Sequence, residues 1–398
     1  MVHRESLFGQ LLKVLSKNVF SKSIAMLKSD KYVKKMSSWD LLVCMLYCHL
    51  GHARSLREIS YGMKSCLGKI NHLGLKQSPK KSTLSYANKK RKWEPFRALF
   101  FNMLDVCQSA DKSKRKFRFK NKLFSLDATI VELCANMFDW AKYRKTKGAI
   151  KLHLLLDHDG YLPVFALITE GRVHEINVAR RLNPPSGSIV IMDRGYNDYG
   201  LFKSWNAEGV FFVSCLKKDA RYTVVTRNGS RLSRNIVSDD IIELETGLLL
   251  RKITVWLEDK QEYMELVTNH MKFGPSTIAA IYKDRWAIEQ FFKTIKQNLR
   301  IKTFVGTSAN AIHIQIWTAL ISILLVKYLQ FLSSVKISLS NFVYILRQNL
   351  FTYKNLAEWL EDPFGLPPPE PDFEQPYLPY FNLGQQNSGK MGQNCATT

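Results

Sequence analysis

Acidic residues are scarce in this chain. Of its 398 residues, 34 are Asp or Glu and 58 are Lys or Arg, which gives a formal net charge of +24. So large an excess of cations predicts a polyanionic partner. Nucleic acid fits best, because neutralising phosphates with many cations supplies most of the non-specific affinity for nucleic acid. A membrane surface is the alternative polyanion.

Cysteines are few and scattered. The seven cysteines lie at positions 44, 48, 66, 107, 134, 215 and 395, an odd number with no framework spacing. This pattern excludes a disulfide scaffold and favours a reducing cytoplasm. Only Cys44, Cys48 and His49 cluster, but they lie inside an apolar run without a second pair of ligands. Buried thiols are therefore favoured over a zinc site.

Long hydrophobic runs are also missing. The longest, Ile316 to Val326, stops at Lys327, whereas about 20 residues are needed to span a bilayer. No N-terminal signal sequence is visible, because Met1 to Glu5 precede an amphipathic stretch. We therefore expect a cytoplasmic protein with no membrane partner and with a buried helix at residues 316–326.

The first part of the chain, residues 1–105, is predicted to be a helical domain. Apolar residues recur three and four apart in Leu7 to Leu15 and in Trp39 to Leu50. Ser55 followed by Glu58 has the spacing of a capping box, and Ser82 to Arg91 predicts a further helix with a basic end. The last two helices could form a helix-turn-helix that reads a DNA groove, and a plain helical bundle fits equally well.

A basic segment follows at Asp111 to Lys120, with six cations in ten residues and interleaved aromatics. Runs of this kind are usually solvated linkers. The charge of the whole chain also favours a second interpretation, in which the segment follows a phosphate backbone.

From residue 122 the periodicity changes to short apolar strands separated by turns such as His158-Asp-Gly160. Strands come first and then alternate with helices, which predicts an α/β fold with a mixed sheet flanked by helices. We assign this domain to residues 106–335, with a β-rich insertion at about 215–275 and a long helix from 276. A C-terminal helical segment at 336–366 and a disordered tail at 367–398, rich in Pro, Gln, Asn and Gly, complete the expected organisation.

One segment places a carboxylate among cations at helical spacing. At about 100° of rotation per residue, Tyr282, Arg285, Glu289, Lys293 and Lys296 share one face of a continuous helix. The apolar residues of the segment form a neighbouring stripe that can be buried. A metal-dependent phosphodiester site suits this face. A solvated face with ordinary ion pairs is the open alternative.

Two further carboxylates lie on predicted strands. Asp127 is in the middle of an apolar strand, where an unpaired charge would cost several kcal/mol, and Asp193 ends the strand Ile189 to Met192. Each could simply pair with a nearby cation. Together with Glu289, however, two strand acids and one helix acid are what a two-metal phosphoryl-transfer site requires.

These segments resemble the DDE transposases of the insertion-sequence-four (IS-four) type. The spacing Tyr282-x-x-Arg285-x-x-x-Glu289-x-x-x-x-x-x-Lys296 is similar to the signature of that family. Phe124-Ser-Leu-Asp127-Ala-Thr129 resembles its first acidic motif and Met192-Asp193-Arg-Gly195-Tyr196 its second. The similarity covers about residues 120–325, includes the strand-rich insertion, and extends less clearly to the helical N-terminal region.

The resemblance implies a ribonuclease-H-like fold and an Mg²⁺-dependent enzyme. Asp127, Asp193 and Glu289 are then the catalytic acids and the ligands of two divalent ions, Mg²⁺ or Mn²⁺. Tyr282, Arg285, Lys293 and Lys296 are expected to bind DNA phosphates. The implied partners are double-stranded DNA, as element ends and as target, and a second copy of the chain in a homodimer.

Three other side chains are open to two interpretations. The resemblance makes Trp256, in the insertion, a candidate for stacking on a flipped base, and a core aromatic is the alternative. His153 and His174 border the predicted site and could act as metal ligands or bases, and a structural role or a phosphate contact is the alternative. Trp286 is expected to pack in the interior.

Three functions remain at this point. The first is a cut-and-paste DNA transposase that acts on terminal inverted repeats, and the second is a metal-dependent nuclease with the same three acids but no strand transfer. The third is a transposase-derived DNA-binding protein without catalysis, which the presence of all three acids disfavours.

Overall fold

The computed structural model of the protein describes residues 4–66, 70–112, 115–134, 142–144, 147–228, 235–299 and 304–365. The predicted tail at 367–398 lies outside the described residues. The mixed sheet, its flanking helices, the β-rich insertion and the helical N-terminal part confirm the fold class that the sequence predicted.

Helices make up the N-terminal part of the described chain. They are α1 (Leu7–Leu12), α2 (Lys17–Leu27), α3 (Ser38–Leu50), α4 (Leu56–Ser65), α5 (Lys81–Lys90) and α6 (Glu94–Ala110). Serines cap several of them. At α4, Ser55 Oγ accepts from the Glu58 amide at 3.1 Å, as predicted, but the Glu58 carboxylate accepts from the Arg54 amide at 2.8 Å. The capping interaction therefore reaches one residue further back than a capping box would.

Ten described strands form one sheet. They are β1 (Leu123–Cys134), β2 (Lys142–Arg144), β3 (Lys147–Asp157), β4 (Leu162–Glu170), β5 (Ile189–Met192), β6 (Phe211–Cys215), β7 (Tyr222–Arg227), β8 (Ile236–Leu244), β9 (Leu249–Leu257) and β10 (Glu262–Thr268). The central order is β4-β3-β1-β5-β6, in which β1, β5 and β6 are parallel and β3 and β4 are antiparallel to their neighbours. This is the ribonuclease-H-like arrangement.

The β-rich insertion continues this sheet rather than forming a separate layer. Its strands β7 to β10 are antiparallel, and β10 pairs with β6 at Leu266 to Thr268. A buried ion pair lies within it, because Arg251 donates from Nε and Nη2 to the two carboxylate oxygens of Asp239, each at 2.6 Å. Backbone bonds between β10 and β6 therefore join the insertion to the central sheet, and the ion pair holds β8 to β9 within it.

Helices cover both faces of the sheet. Helices α7 (Glu175–Ala179) and α8 (Tyr199–Ala207) pack on one face. Helices α9 (Pro275–Lys283), α10 (Trp286–Asn298) and α11 (Ala309–Leu332) lie on the other. The second face is the one that carries the candidate site.

Helix α11 is the central helix of the molecule. By length and composition it could cross a membrane, but 83% of its most apolar window is buried inside the fold. It contacts α3, α5, α6 and α10, so it joins the N-terminal helices to the sheet. The expected buried helix is confirmed, and it runs past Lys327. The Lys327 side chain is itself buried, and its Nζ donates to the Gly160 carbonyl at 2.7 Å.

The C-terminal helical segment consists of two helices, α12 (Leu339–Asn349) and α13 (Leu356–Glu361), where the sequence predicted one continuous helix at about 341–361. The chain leaves the helix after Asn349, and the Asn355 side chain caps α13 by accepting from the Ala357 amide at 2.9 Å. The intervening loop pairs with α1. Its carbonyls at Leu350 and Thr352 accept from the amides of Phe8 and Leu7 at 2.8 and 3.0 Å.

Candidate active site

Asp127 and Asp193 lie on adjacent parallel strands. Leu126 of β1 is in register with Met192 of β5, so the two acids follow at neighbouring positions on the same face of the sheet. Asp193 ends β5, and its Oδ1 accepts from the Gly195 amide at 2.6 Å. A Cβ at position 195 would lie 2.8 Å from this oxygen, so only glycine allows so close an approach.

Glu289 reaches the same face from α10. The buried side of this helix carries Ile288, Phe292 and Ile295, which pack in the core shared with β1 and α11. The exposed side carries Lys293. The apolar stripe predicted from the sequence therefore places Glu289 beside the strand of Asp127.

The helix that carries these residues is broken, so the prediction of one continuous helix from Tyr282 to Lys296 is wrong. Helix α9 ends at Lys283 and α10 begins at Trp286. The amide of Arg285 donates to the carbonyl of Tyr282 at 3.1 Å, a tight turn of the i to i+3 type. The turn directs the Asp284 side chain into the protein, where it is 7% exposed.

Asp127 is a partly buried carboxylate with incomplete compensation. Its pKa is raised to about 7, chiefly by burial and also by the charges of Asp193 and Glu289, which together outweigh the lowering by the Ala128 amide and Arg285. Arg285 is at the same time paired with Glu289, with Nη2 2.6 Å from Oε1. The cation that an acid in this strand was expected to require is therefore Arg285, which Asp127 and Glu289 share.

Two neighbouring cavities adjoin the acids. The first, of about 320 Å³, is lined by Asp127, Glu289, Lys293 and Lys296, among others. Lys296 also donates from Nζ to the Ile130 carbonyl of β1 at 3.0 Å. The structure thus brings four of the predicted site residues around one opening.

The second cavity, of about 530 Å³, is lined by Tyr282, Arg285, Trp256 and Trp286, among others. The Trp256 ring lies 4.7 Å from that of Tyr263. Trp286 is 57% exposed, so the expectation that it packs in the interior is wrong. The break before α10 accounts for this, since it places Trp286 at the first turn of a new helix beside the cavity.

Tyr282 is turned partly away from solvent. Burial raises its pKa, and its hydroxyl interacts with the Cys215 thiol at the end of β6.

Of the histidines beside the site, His153 is buried and its Nε2 lies 2.9 Å from Thr169 Oγ1. Burial lowers the pKa of His153 to about 4, so it is neutral at pH 7. His174 is exposed at the start of α7.

The site also contains groups that sequence reasoning missed. Glu175 pairs with Lys151 at 3.2 Å, and its other oxygen lies 3.9 Å from where a Cβ of Gly195 would be, beside Asp193. The Tyr196 hydroxyl is buried without a hydrogen-bond partner in the described structure, and Asp127, Glu175 and Asp193 all influence its pKa. In the sequence, the signal that could have pointed to Glu175 is its position at the start of a predicted helix.

The donor set suits a hard divalent cation, because it consists of carboxylates beside a buried hydroxyl without a partner. Among the described residues, no three Asp, Glu, His or Cys side chains already form a group that could hold a metal. Each of the three acids accepts a hydrogen bond or ion pair from the protein. Arg285 binds Glu289, and backbone amides bind Asp193 and Asp127. The same holds at Cys44, Cys48 and His49, which are buried without a metal group.

Two cations of the basic segment are engaged within the protein. Arg115 pairs with Asp159 at 3.2 Å, and Lys116 pairs with Asp284. The rings of Phe117 and Phe119 stack with their centroids 5.1 Å apart, and the Phe119 ring lies 5.0 Å from that of Phe273 in a tilted arrangement. These contacts attach the segment to the sheet, which differs from a solvated linker.

Comparisons with known proteins agree with this geometry. A family model described as a transposase DDE domain matches residues 118–325, which is more than half of the chain, and a domain of unknown function matches residues 3–76. A protein described as a transposase, y4zB of Sinorhizobium fredii, is 28% identical over 309 residues, covering 75% of this chain and 84% of its own length. A protein of Synechocystis, described as a transposase for insertion sequence element IS4SA, is 25% identical over 334 residues, covering 81% of this chain and 88% of its own.

Among solved structures, a piggyBac transposase synaptic complex with hairpin DNA aligns with a TM-score of 0.45 and 11% identity, covering 89% of this chain and 82% of that one. The family model and the curated relatives carry the assignment, and the family model spans all three acids. The chain therefore belongs to the DDE transposases, of the insertion-sequence-four type.

Proposed function

We propose that this chain is the DNA transposase of an insertion sequence, and that Asp127, Asp193 and Glu289 are its catalytic carboxylates. The observation that carries the assignment of the site is Asp127, a partly buried carboxylate of raised pKa beside two other acids and an opening lined with lysines. Carboxylates whose pKa is raised in this way are typical of functional sites, where the shifted pKa serves catalysis or binding. Family membership supplies the reaction, which is DNA cleavage followed by strand transfer.

DDE transposases use divalent metal ions. We infer that two Mg²⁺ ions, which Mn²⁺ can replace, bind to Asp127, Asp193 and Glu289. When bound, such ions activate water and stabilise the attacking and leaving oxygens of a phosphodiester. Arg285 can exchange Glu289 for a DNA phosphate, because both present a planar pair of oxygens to the guanidinium group.

The cations around the opening provide the remaining charge. Lys293 is exposed at its rim, and Lys296 lines it while it holds the Ile130 carbonyl. We assign phosphate contacts beside the scissile bond to both lysines, to Arg285 and to Tyr282. Their part is to hold the backbone in line for attack, which accounts for much of the rate in phosphoryl transfer.

The aromatic cavity next to this opening suits an unstacked base. Trp286 is exposed there, and Trp256 forms the opposite wall with Tyr263 behind it. A base that leaves the duplex is usually held between aromatic or apolar side chains. We assign base stacking to Trp256, with Trp286 as a second candidate.

We assign binding of the element ends to the helical region at 1–105 and catalysis to residues 106–335. Helices α4 and α5 pack on each other, and Ser60 and Ser78 fix the turn between them. Ser60 Oγ donates to the Pro79 carbonyl at 2.7 Å, and Ser78 Oγ to the Ser60 carbonyl at 3.0 Å. The exposed face of α5 carries lysines and Tyr86 and no acidic residue. We therefore assign the DNA contact of this region to the basic face of α5.

The partners that follow are two element ends, a target duplex and a second copy of the chain, because two ends must be cut and joined together. We place the protein in the bacterial cytoplasm, on the nucleoid when bound to DNA. The net charge of +24 supports this, since it favours association with DNA over free diffusion.

The test uses purified full-length protein, Mg²⁺ and labelled duplexes that carry the sequences flanking the reading frame. We expect cleavage at the end of the repeat and joining to a target, both lost by at least about 1,000-fold in Asp127→Ala and Glu289→Ala, which corresponds to about 4 kcal/mol of activation free energy. Binding of the same duplex should stay within a few-fold. Cleavage that survives in either variant would overturn the assigned site.

Cleavage without joining in the same assay would instead identify a nuclease. Binding without cleavage in the unmodified protein would identify a DNA-binding derivative. Lys203→Ala, an exposed cation on α8 on the opposite face of the sheet, is the control for general loss of charge.

A further inference from the structure

A buried chain of hydrogen bonds connects the strand of Asp127 with the helix of Glu289. Ser125 Oγ lies 2.7 Å from Nε2 of His158, and Nδ1 of His158 lies 2.6 Å from Oδ2 of Asp284. None of these three residues is more than 9% exposed. We refer to them as the Ser125–His158–Asp284 network.

The two ends of the network adjoin the catalytic acids. Ser125 precedes Asp127 by two residues on β1, so both side chains point to the same face of the sheet. Asp284 lies in the turn between α9 and α10, directly before Arg285 and five residues before Glu289. The network is therefore a short, buried route from one acid-bearing element to the other.

The middle of the network is fixed to the sheet. His158 follows β3 in the turn to β4, and its amide donates to the Leu123 carbonyl of β1 at 2.9 Å. The Tyr161 hydroxyl adds a longer contact of 3.4 Å to Asp284 Oδ2. Since backbone and ring are both held, His158 has little freedom to follow Asp284 if that residue moves.

Both carboxylate oxygens of Asp284 accept hydrogen bonds from charged or polar side chains. Its Oδ1 accepts from Lys116 Nζ of the segment that enters the sheet, while Oδ2 accepts from His158. Charge-assisted bonds of this kind are short and directional. They hold the turn before α10 from two sides and so fix where α10 begins.

The order Ser, His, Asp is also that of a hydrolase triad, but a nucleophilic role does not fit. Ser125 is 0% exposed and lies in β1 between the paired strands β3 and β5. No substrate can reach its hydroxyl without displacing the helices that cover this face of the sheet. The network therefore acts through the position of other residues.

We propose that the Ser125–His158–Asp284 network positions α10 on β1 and thereby sets the separation of Glu289 from Asp127. This rests on the proposed function, because the separation matters only if the two acids share metal ions. A displacement of about 1 Å in a catalytic group can reduce the rate by about 100-fold. These three are positioning residues, since none of them touches the reacting atoms.

The experiment compares Asp284→Asn and Ser125→Ala with a matched control, Asp239→Asn. Asp239 is 3% exposed and is likewise a buried carboxylate paired with a cation, but it lies in the insertion. For each protein we would measure kcat and KM for strand transfer with a pre-cleaved element end, and Mn²⁺ affinity by electron paramagnetic resonance without DNA. Circular dichroism checks that each variant is folded at the assay temperature.

We expect Asp284→Asn to lower kcat by about 100-fold, to leave KM for DNA within a few-fold, and to weaken Mn²⁺ binding by about tenfold. Ser125→Ala, which removes only a hydroxyl, should shift both quantities in the same direction by less. The double variant should be no worse than Asp284→Asn, because the two residues act through one connection. If Asp284→Asn does not fold, Ser125→Ala decides the matter by the same two measurements.

Unchanged kcat and Mn²⁺ affinity in folded Asp284→Asn or Ser125→Ala would overturn the proposal, as would equal losses in Asp239→Asn. Either result leaves the proposed function intact, provided that the unmodified protein cleaves DNA. Failure of the unmodified protein to bind Mn²⁺ at all would instead overturn the metal site, and with it the role of the network.

Discussion

Asp127 is a partly buried carboxylate and Asp284 a buried one on the same side of the central sheet, and their surroundings have opposite effects on their pKa values. The pKa of Asp127 is raised to about 7, chiefly by burial and in part by the two neighbouring acids. For Asp284, the hydrogen bonds from His158 and Lys116 outweigh burial and hold its pKa below the usual range. One carboxylate lacks sufficient compensation, and the other has it in full.

The difference supports the functional role that we propose for Asp127 and a structural role for Asp284. A protein that can supply Asp284 with two strong donors could supply Asp127 in the same way, yet Asp127 has the Ala128 amide and an arginine shared with Glu289. Incomplete compensation of a buried charge is typical of sites that bind something further. The contrast predicts that the two residues respond differently to the same substitution.

The largest difference is expected in folding stability. Asp284→Ala should lower the free energy of unfolding by about 3 to 5 kcal/mol, because it leaves His158 and Lys116 without their buried partner. Asp127→Ala, in metal-free buffer, should change it by less than about 1 kcal/mol or increase it, because it removes an uncompensated charge. Urea denaturation of both variants measures this. Equal destabilisation would show that Asp127 is as structural as Asp284.

The second difference lies in the pH dependence of stability. The pKa of Asp127 is about 7 in the folded protein and about 3.9 in the unfolded chain. Between these values the folded state binds more protons, so this residue makes stability fall as pH rises from 4 to 7, by about 1 to 4 kcal/mol. The contribution of Asp284 to stability changes with pH in the opposite direction. Its lowered pKa contributes stability above the unfolded pKa, and this is lost as pH falls below about 4.

The check is the unfolding free energy of the unmodified protein minus that of Asp127→Asn, measured with EDTA at several pH values. We expect this difference to fall between pH 4 and 7 and to be constant above. A difference that stays level throughout would mean that Asp127 is ionised well below pH 7.

The smallest effect concerns the support of the second strand acid. Gly195→Ala brings a Cβ to 2.8 Å from Asp193 Oδ1, so the carboxylate must move by a few tenths of an ångström. We expect strand transfer to fall by about tenfold with stability changed by less than about 1 kcal/mol. Gly187→Ala is the control outside the site, where no atom lies within 4 Å, although its φ of +78° is strained for alanine. A Gly195→Ala enzyme as active as the original would show that Asp193 tolerates displacement.

The three acids that we propose as catalytic were selected from the sequence by local signals. Asp127 interrupts an apolar strand, Asp193 ends one, and Glu289 has helical spacing from its cations. The break between α9 and α10 could not be predicted, because nothing in Tyr282 to Lys296 interrupts a helix. It accompanies contacts of Asp284 with His158, which is 126 positions away, and with Lys116, which is 168 positions away.

The same limit applies elsewhere in the chain. The exposure of Trp286 follows from that break, and the separation of α12 from α13 accompanies pairing of the loop with α1. In each case the helical sequence pattern continues through the break, and contacts with residues distant in the sequence accompany the end of the helix. The Ser125–His158–Asp284 network joins such partners, and no spacing in the sequence connects them.

The pairing of α1 with the loop after α12 has a consequence for synthesis on the ribosome. The Leu356 amide donates to the Gln10 side chain across 346 positions, and the amides of Leu7 and Phe8 bond to carbonyls in the same loop. During translation, helix α1 therefore cannot form these contacts until almost the whole chain has been synthesised. Contacts of such wide sequence separation slow folding. A product that terminates before residue 350 would retain all three acids but leave its first helix without these partners.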